Sequence, residues 1–237
     1  QDTLDALQQS IIRKQLRDMK IHFGGFEETC LIQCSRLQDD FLLLSGGYDG
    51  RLFGCALMVN LALAYATLDG KDLRFAKDDF DTVHTAPRLL VCHCNAQFLH
   101  CRIIVGHAPS ADAPVEQKDQ WYADFTRFAN VSLQVLIFID SNARMEVMDG
   151  TVPPPTQPVQ DNAQRFSDAI HNLSVQLPNA LPQFTDKLKG TWFHESYGHQ
   201  SWHTIDYILP DAAWTVKRAA VLSDLHTLNV RLDHRPI

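Results

Sequence analysis

Leu133-Gln134-Val135-Leu136-Ile137-Phe138-Ile139-Asp140-Ser141-Asn142-Ala143-Arg144 is the stretch on which the reading of this chain turns. Residues 133–139 are apolar but for Gln134, and the run is rich in β-branched and aromatic types. A short apolar run of that kind reads as a strand buried on both faces. It stops abruptly at Asp140, Ser141 and Asn142. Polar side chains at strand ends collect along one edge of a sheet, where binding and catalytic sites are built. An Asp and an Asn two residues apart can grip one water or one phosphoryl oxygen, the carboxylate taking a proton and the amide donating a hydrogen bond. Asp, Ser and Asn also favour turns, so the stretch taken alone reads first as a strand-ending turn.

Similar clusters lie on either side. Glu27-Glu28-Thr29 follows a short strand candidate, Ile21 to Phe26. Paired carboxylates there can offer an oxygen ligand to a hard divalent cation, or simply form a solvated acidic turn. His107-Ala108-Pro109-Ser110 closes a second apolar run, Cys101 to His107. A histidine there could donate to a phosphate or protonate a leaving oxygen; the plainer reading is a half-buried histidine with a backbone partner. Asp206 lies inside the apolar segment Ile205-Asp206-Tyr207-Ile208, and a buried carboxylate needs a partner. His234, in Asp233-His234-Arg235-Pro236, is the candidate partner.

The remaining pattern mixes strands and helices without strict alternation, which suggests two β-sheets with helices outside. Leu4, Leu7, Ile11, Ile12 and Leu16 repeat at helical spacing and predict a helix over 3–20. Phe41 to Leu44 and Leu52 to Leu63 read as strands flanking a turn at Gly46-Gly47 and Asp49-Gly50. Arg88 to Cys94 and Cys101 to His107 read as a hairpin around Asn95-Ala96-Gln97. Gln117 to Val131 and Ala163 to Leu173 read as helices, and Thr151 to Pro158, with four prolines, as an irregular loop inserted in a domain. From Thr191 onward the text is strand and turn.

Bulk properties narrow the class. The chain has 237 residues, 45% hydrophobic and 21% charged, with a net charge of -7, which suits one globular domain and excludes general disorder. No apolar stretch approaches the ~20 residues of a membrane-spanning helix. A pI near 5.8 argues against a broad basic surface for nonspecific nucleic-acid binding, although a carboxylate-lined metal site would itself add negative charge. The chain begins with Gln1 rather than Met and shows no signal peptide, so it reads as a fragment or processed piece. Cys55, Cys92, Cys94 and Cys101 sit in apolar runs, as free core cysteines do in a reducing, intracellular compartment, the nucleus included. Cys92-His93-Cys94 alternates faces of a strand and matches no common zinc spacing, so core cysteines outweigh a zinc site.

In their order, these clusters resemble the endonuclease/exonuclease/phosphatase (DNase-I-like) superfamily. The family's Gln-Glu-Thr is matched by Glu27-Glu28-Thr29, its His-x-Pro by His107-Ala108-Pro109, and its Gly-Asp-Phe-Asn-Ala by Ile139-Asp140-Ser141-Asn142-Ala143. Its Thr-Trp is matched by Thr191-Trp192, its Arg-Ile-Asp-Tyr by Thr204-Ile205-Asp206-Tyr207, and its closing Ser-Asp-His-x-Pro by Leu232-Asp233-His234-Arg235-Pro236. Each motif is short, but the ordered set spans nearly the whole chain. The style of the motifs looks most like endonuclease domains beside reverse transcriptases in retroelements. Cys30, Ser141, Thr204 and Leu232 depart from the family's usual Arg, Phe, Arg and Ser.

The resemblance implies an α/β fold, a four-layer α/β/β/α sandwich, formed by one domain over residues 1–237. That domain would be incomplete at the N-terminus, where the family's first strand carries a metal-site Asn, and at the last strand. It implies a phosphodiester hydrolase dependent on magnesium, with manganese as substitute, whose substrate is DNA and whose parent protein carries a reverse transcriptase. Glu28 and Asp233 would serve the metal. Asp140, aligned by Asn142, would orient or deprotonate the attacking water. His234, polarised by Asp206, would hydrogen-bond the phosphate, and His107 would donate to phosphate or leaving oxygen. Two alternatives stand beside this: a phosphatase or phospholipid phosphodiesterase of the same fold, and a decayed domain that keeps the fold without turnover.

Overall fold

The computed structural model describes residues 6–50, 53–144, 159–178, 190–196, 199–222, 234 and 236–237. The chain divides into two compact units, residues 1–106 with 225–229 and residues 107–224 with 230–237.

The first unit opens with helix α1 (Ala6–Asp18), which buries Ile12 and Leu16. Its polar Gln9 is also buried and accepts from Arg36 and Gln38, which tie the helix to strand β2 (Cys34–Gln38). Strands β1 (Phe23–Phe26), β3 (Phe41–Ser45) and β4 (Ala56–Asn60) complete an antiparallel sheet in the order β1-β4-β3-β2. β3 and β4 are buried at every residue, which explains why both are apolar without alternation. A ribbon follows, β5 (Ala64–Leu68) paired with β6 (Lys71–Arg74). Tyr65 stacks on Phe75 at 4.3 Å, and Phe75 packs in turn on Phe23 and Phe80. The unit closes with the meander β7 (Phe80–Ala86), β8 (Leu89–Ala96) and β9 (Leu99–His107), whose last residue falls in the second unit. Cys92, Cys94 and Cys101 are all buried here, and burial pushes the Cys92 thiol up to about 12.

The second unit contains helix α2 (Val115–Ala129), strand β10 (Gln134–Asp140), helix α3 (Val159–Asn172), the hairpin β11 (Trp192–Ser196) and β12 (His199–His203), and strand β13 (Asp206–Pro210). β10 and β13 pair antiparallel, with Asp140 directly opposite Asp206. α2 buries Trp121 and Phe125, stacked at 5.3 Å. α3 turns Phe166 onto Tyr207 of β13 at 5.2 Å. The two helices are clamped by charge: buried Lys118 of α2 meets Asp161 of α3 at 2.7 Å, and Arg165 pairs with both Asp161 and Asp119. The ammonium of Lys118 and then the guanidinium of Arg165 hold the Asp161 carboxyl below its ordinary range.

Most predicted elements are present with shifted ends. The helix expected over 3–20 occupies Ala6–Asp18 among the described residues. The strand expected over 52–63 is only Ala56–Asn60, because Gly54 has φ +153° and the chain turns away again beyond Asn60. The hairpin expected around Asn95-Ala96-Gln97 turns one residue later, at Gln97-Phe98, with β8 paired through Ala96. Strands β2, β6 and β7 carry many polar residues and give no apolar signal, and β5, Ala64-Tyr65-Ala66-Thr67-Leu68, is short and half-exposed. The Pro-rich segment 151–158 lies outside the described residues.

Candidate active site

The Asp140 corner forms where β10 runs out. Asp140 is the last residue of the strand and is buried, and its backbone oxygen accepts from Ala108 N at 2.8 Å. That bond sets the residue after His107 beside the strand end. Asn142 then takes φ +46°, a left-handed conformation that Asn tolerates better than most residues. The turn brings the Asn142 backbone N–H within 2.9 Å of Asp140 Oδ1. Asn142 Nδ2 donates to Ala108 O at 2.8 Å. The amide therefore spends a donor on the His107 loop, and the alignment of Asp140 by Asn142 runs through the backbone N–H. Ser141 secures the other side: its N–H and Oγ both donate to Ile205 O, at 2.9 and 2.8 Å.

His107 Nε2 lies 3.8 Å from Asp140 Oδ2, both side chains being under a tenth exposed. That is an ion-pair distance and too long for a hydrogen bond. His107 is more buried than the half-buried position a surface donor would occupy.

Asp206 and His234 form the second acid–histidine pair, as their sequence setting suggests. His234 Nδ1 is 3.1 Å from both Asp206 oxygens. A carboxylate only accepts, so Nδ1 carries the hydrogen and Nε2 is the other face of the ring. His234 also bridges Trp192 through the backbone. Asp206 is held by Thr191, whose Oγ1 accepts from Ile205 N at 3.1 Å and Asp206 N at 3.2 Å. Gly190 permits this grip: it has φ +95°, and a Cβ there would fall 2.5 Å from Trp202 Cβ.

Asp140, Asp206 and His234 each present a ligand atom within 4.8 Å of the others. Asp140 and Asp206 stand opposite on one face of the β10–β13 pair, where like charges repel unless something positive sits near. Two carboxylates and an imidazole at this spacing form a donor set of the kind that holds a divalent cation or a phosphate group.

Glu28 belongs to the first unit, at the end of β1. Glu28 and Cys30 have φ +53° and +50°, on either side of Thr29. Neither is a residue type at ease there, and each such position costs of order 1–3 kcal/mol. Buried Thr29 holds the strained corner by donating both N–H and Oγ1 to Gly54 O, at 3.0 and 3.2 Å. Asp233 lies outside the described residues. Thr191 and Gly190 were missed as site residues by sequence reasoning, although Thr191-Trp192 was visible as a motif. Asn162 of α3, which donates to this corner, had no sequence signal beyond a polar residue at the start of a predicted helix.

No protein-family model matches the chain, and no curated protein sequence does. Solved structures do. A 3' phosphatase, NExo, from Neisseria, bound to a product DNA hairpin, has a TM-score of 0.67 at 15% identity, over 98% of this chain and 93% of its own. The endonuclease domain of TRAS1, a telomere-specific non-LTR retrotransposon, has a TM-score of 0.56 at 13% identity, over 98% and 90%. An endonuclease/exonuclease/phosphatase family protein from Leptotrichia buccalis has a TM-score of 0.59 at 12% identity, over 98% and 92%. At such identities the likeness is one of fold. The chain has the α/β, DNase-I-like endonuclease/exonuclease/phosphatase fold that its motifs imply.

Proposed function

We propose, from the endonuclease/exonuclease/phosphatase fold of this chain, that it is a divalent-metal-dependent phosphodiester hydrolase acting on DNA, of the retroelement endonuclease type. The observation that carries the reading is the meeting of Asp140, Asp206 and His234 within 4.8 Å at the ends of paired strands. A water-activating carboxylate and a phosphate-contacting imidazole need that proximity.

Asp140 is the general base. Its Oδ1 accepts from Asn142 N–H, which fixes the plane of the carboxylate that orients and deprotonates a water. His234 contacts the phosphate through Nε2, because Asp206 holds Nδ1. Asp206 sets the tautomer and favours positive charge on the ring as charge builds on the phosphate. His107 Nε2 lies 3.8 Å from Asp140 Oδ2 and is the candidate donor to a leaving oxygen. Glu28 and Asp233 are the carboxylates assigned to the metal. Held there, a magnesium or manganese ion would supply charge stabilisation to the reacting phosphate.

Nicking of supercoiled plasmid with Mg²⁺, abolished by chelation and restored by added metal, tests the reading. Unchanged nicking in Asp140→Ala and His234→Ala would overturn it. A second reading, hydrolysis of a terminal phosphate, is favoured by the higher TM-score to the Neisseria 3' phosphatase than to the retrotransposon domain. Parallel turnover of plasmid, a 3'-phosphorylated hairpin and an inositol phosphate separates these substrates.

A further inference from the structure

We propose that Asn162 is a positioning residue for the hydrolytic site, holding the His107 loop and the Asp140 corner in register from beneath. The inference rests on the function proposed above and goes beyond its residues. Asn162 lies in the first turns of α3 and has no solvent-exposed surface. Its Nδ2 donates to two backbone carbonyls, Pro109 O at 2.9 Å and Asn142 O at 3.2 Å. Those carbonyls belong to the two loops that carry the site's polar groups. One loop follows His107 and the other follows Asp140.

The geometry forms a closed chain. Asn162 joins Pro109 to Asn142; Asn142 Nδ2 joins back to Ala108 O at 2.8 Å; Ala108 N joins to Asp140 O at 2.8 Å; and Asn142 N meets Asp140 Oδ1 at 2.9 Å. An irregular loop on its own has several backbone arrangements of similar energy. Two donated bonds from a helix, itself clamped through Asp161 to Lys118, select one of them. Lys118 extends the support by donating to Ala111 O at 3.0 Å, further along the His107 loop.

The residue's other end sharpens the assignment. Asn162 Oδ1 is buried and has no hydrogen-bond partner among the described residues. A buried acceptor without a partner costs stability. An apolar side chain of similar volume would serve the packing of α3 without that cost. What the Asn supplies is the forked pair of donors, and these go only to the two site loops.

The test uses the full chain and three variants. Asn162→Leu removes both donors at similar volume. Asn162→Ser is smaller and carries the test if the Leu variant does not fold. Ala169→Gly, on the same helix, weakens α3 without touching either loop. Amide hydrogen exchange is read at Ala108 and Asn142 against the interior of β10, Val135 to Phe138. Steady-state hydrolysis of plasmid with Mg²⁺ gives kcat and KM. The expected result is exchange at least tenfold faster at Ala108 and Asn142 with β10 unchanged. With it, kcat should fall 10- to 100-fold and KM stay within twofold, while Ala169→Gly alters neither. Unchanged exchange at the two loop amides overturns the proposal. So does a kcat within threefold of the parent, or an equal loss in Ala169→Gly. If the parent chain hydrolyses nothing, the functional reading fails, and the exchange result still decides whether Asn162 holds the loops.

Discussion

The two acid–histidine pairs of the second unit are built from the same residue types and are set differently. His107 and Asp140 are both under a tenth exposed and stand 3.8 Å apart. His234 and Asp206 are 35% and 16% exposed and hydrogen-bonded at 3.1 Å to both oxygens. In the first pair the acid is oriented by backbone, through Asn142 N–H, and the histidine is packed behind it. In the second the acid orients the histidine, whose side chain is about a third exposed. Under the proposed function, the acid does the chemistry in one pair and the imidazole in the other. The partner in each case tunes it.

That contrast can be broken in order of expected effect. Asp140→Asn keeps the shape of the corner and removes the base, so turnover should fall about a thousandfold, within the range of general-base contributions, with DNA affinity retained. Single-turnover cleavage and a binding titration on the same samples check it. His234→Ala should cost about a hundredfold and Asp206→Asn about tenfold. The double variant should be no slower than His234→Ala, because Asp206 acts through the ring. Additive losses would show instead that Asp206 has a separate role.

His107→Leu should register first in stability, by about 1–3 kcal/mol in a denaturant titration, since it removes the imidazole beside a buried carboxylate. His234→Ala should leave stability within about 0.5 kcal/mol, as half-exposed sites do. Equal losses at the two histidines would erase the distinction. Gly190→Ala forces a side chain into a left-handed site against Trp202 and should cost about 1–3 kcal/mol. Because Thr191 follows it, turnover should fall with stability. The smallest effect concerns the clamp beneath the site. The Asp161 carboxyl is held low by Lys118, so its contribution is present above the ordinary carboxylate range and is lost as pH falls through its lowered value. Asp161→Asn should flatten that acid limb of a stability–pH curve and leave the neutral limb parallel to the parent.

Much of this corner is legible in the sequence. The apolar run 133–139 announced β10 because a strand buried on both faces has no need of alternation. The pairing of Asp206 with His234 followed from the need of a carboxylate in an apolar strand for a partner. Strands β2, β6 and β7 were silent because they carry mixed polar residues, and pairing with a neighbour decides their conformation. The roles of Asn162 and Thr191 were silent for a different reason. Each acts on backbone groups far along the chain, and backbone carbonyls and amides look alike in every sequence.

The sequence by itself determined the order of the polar clusters, the buried strands that end in them, and the kind of chemistry those side chains can perform. These are local properties: hydrophobic period, turn chemistry and donor–acceptor type are written in each short stretch. Only the tertiary structure decided that Asp140 stands opposite Asp206, that Asn142 aligns its neighbour through the backbone, and that one histidine is sealed while the other stays accessible. Register, burial and hydrogen-bond choice depend on which distant segments come to share a surface, and no local pattern records that.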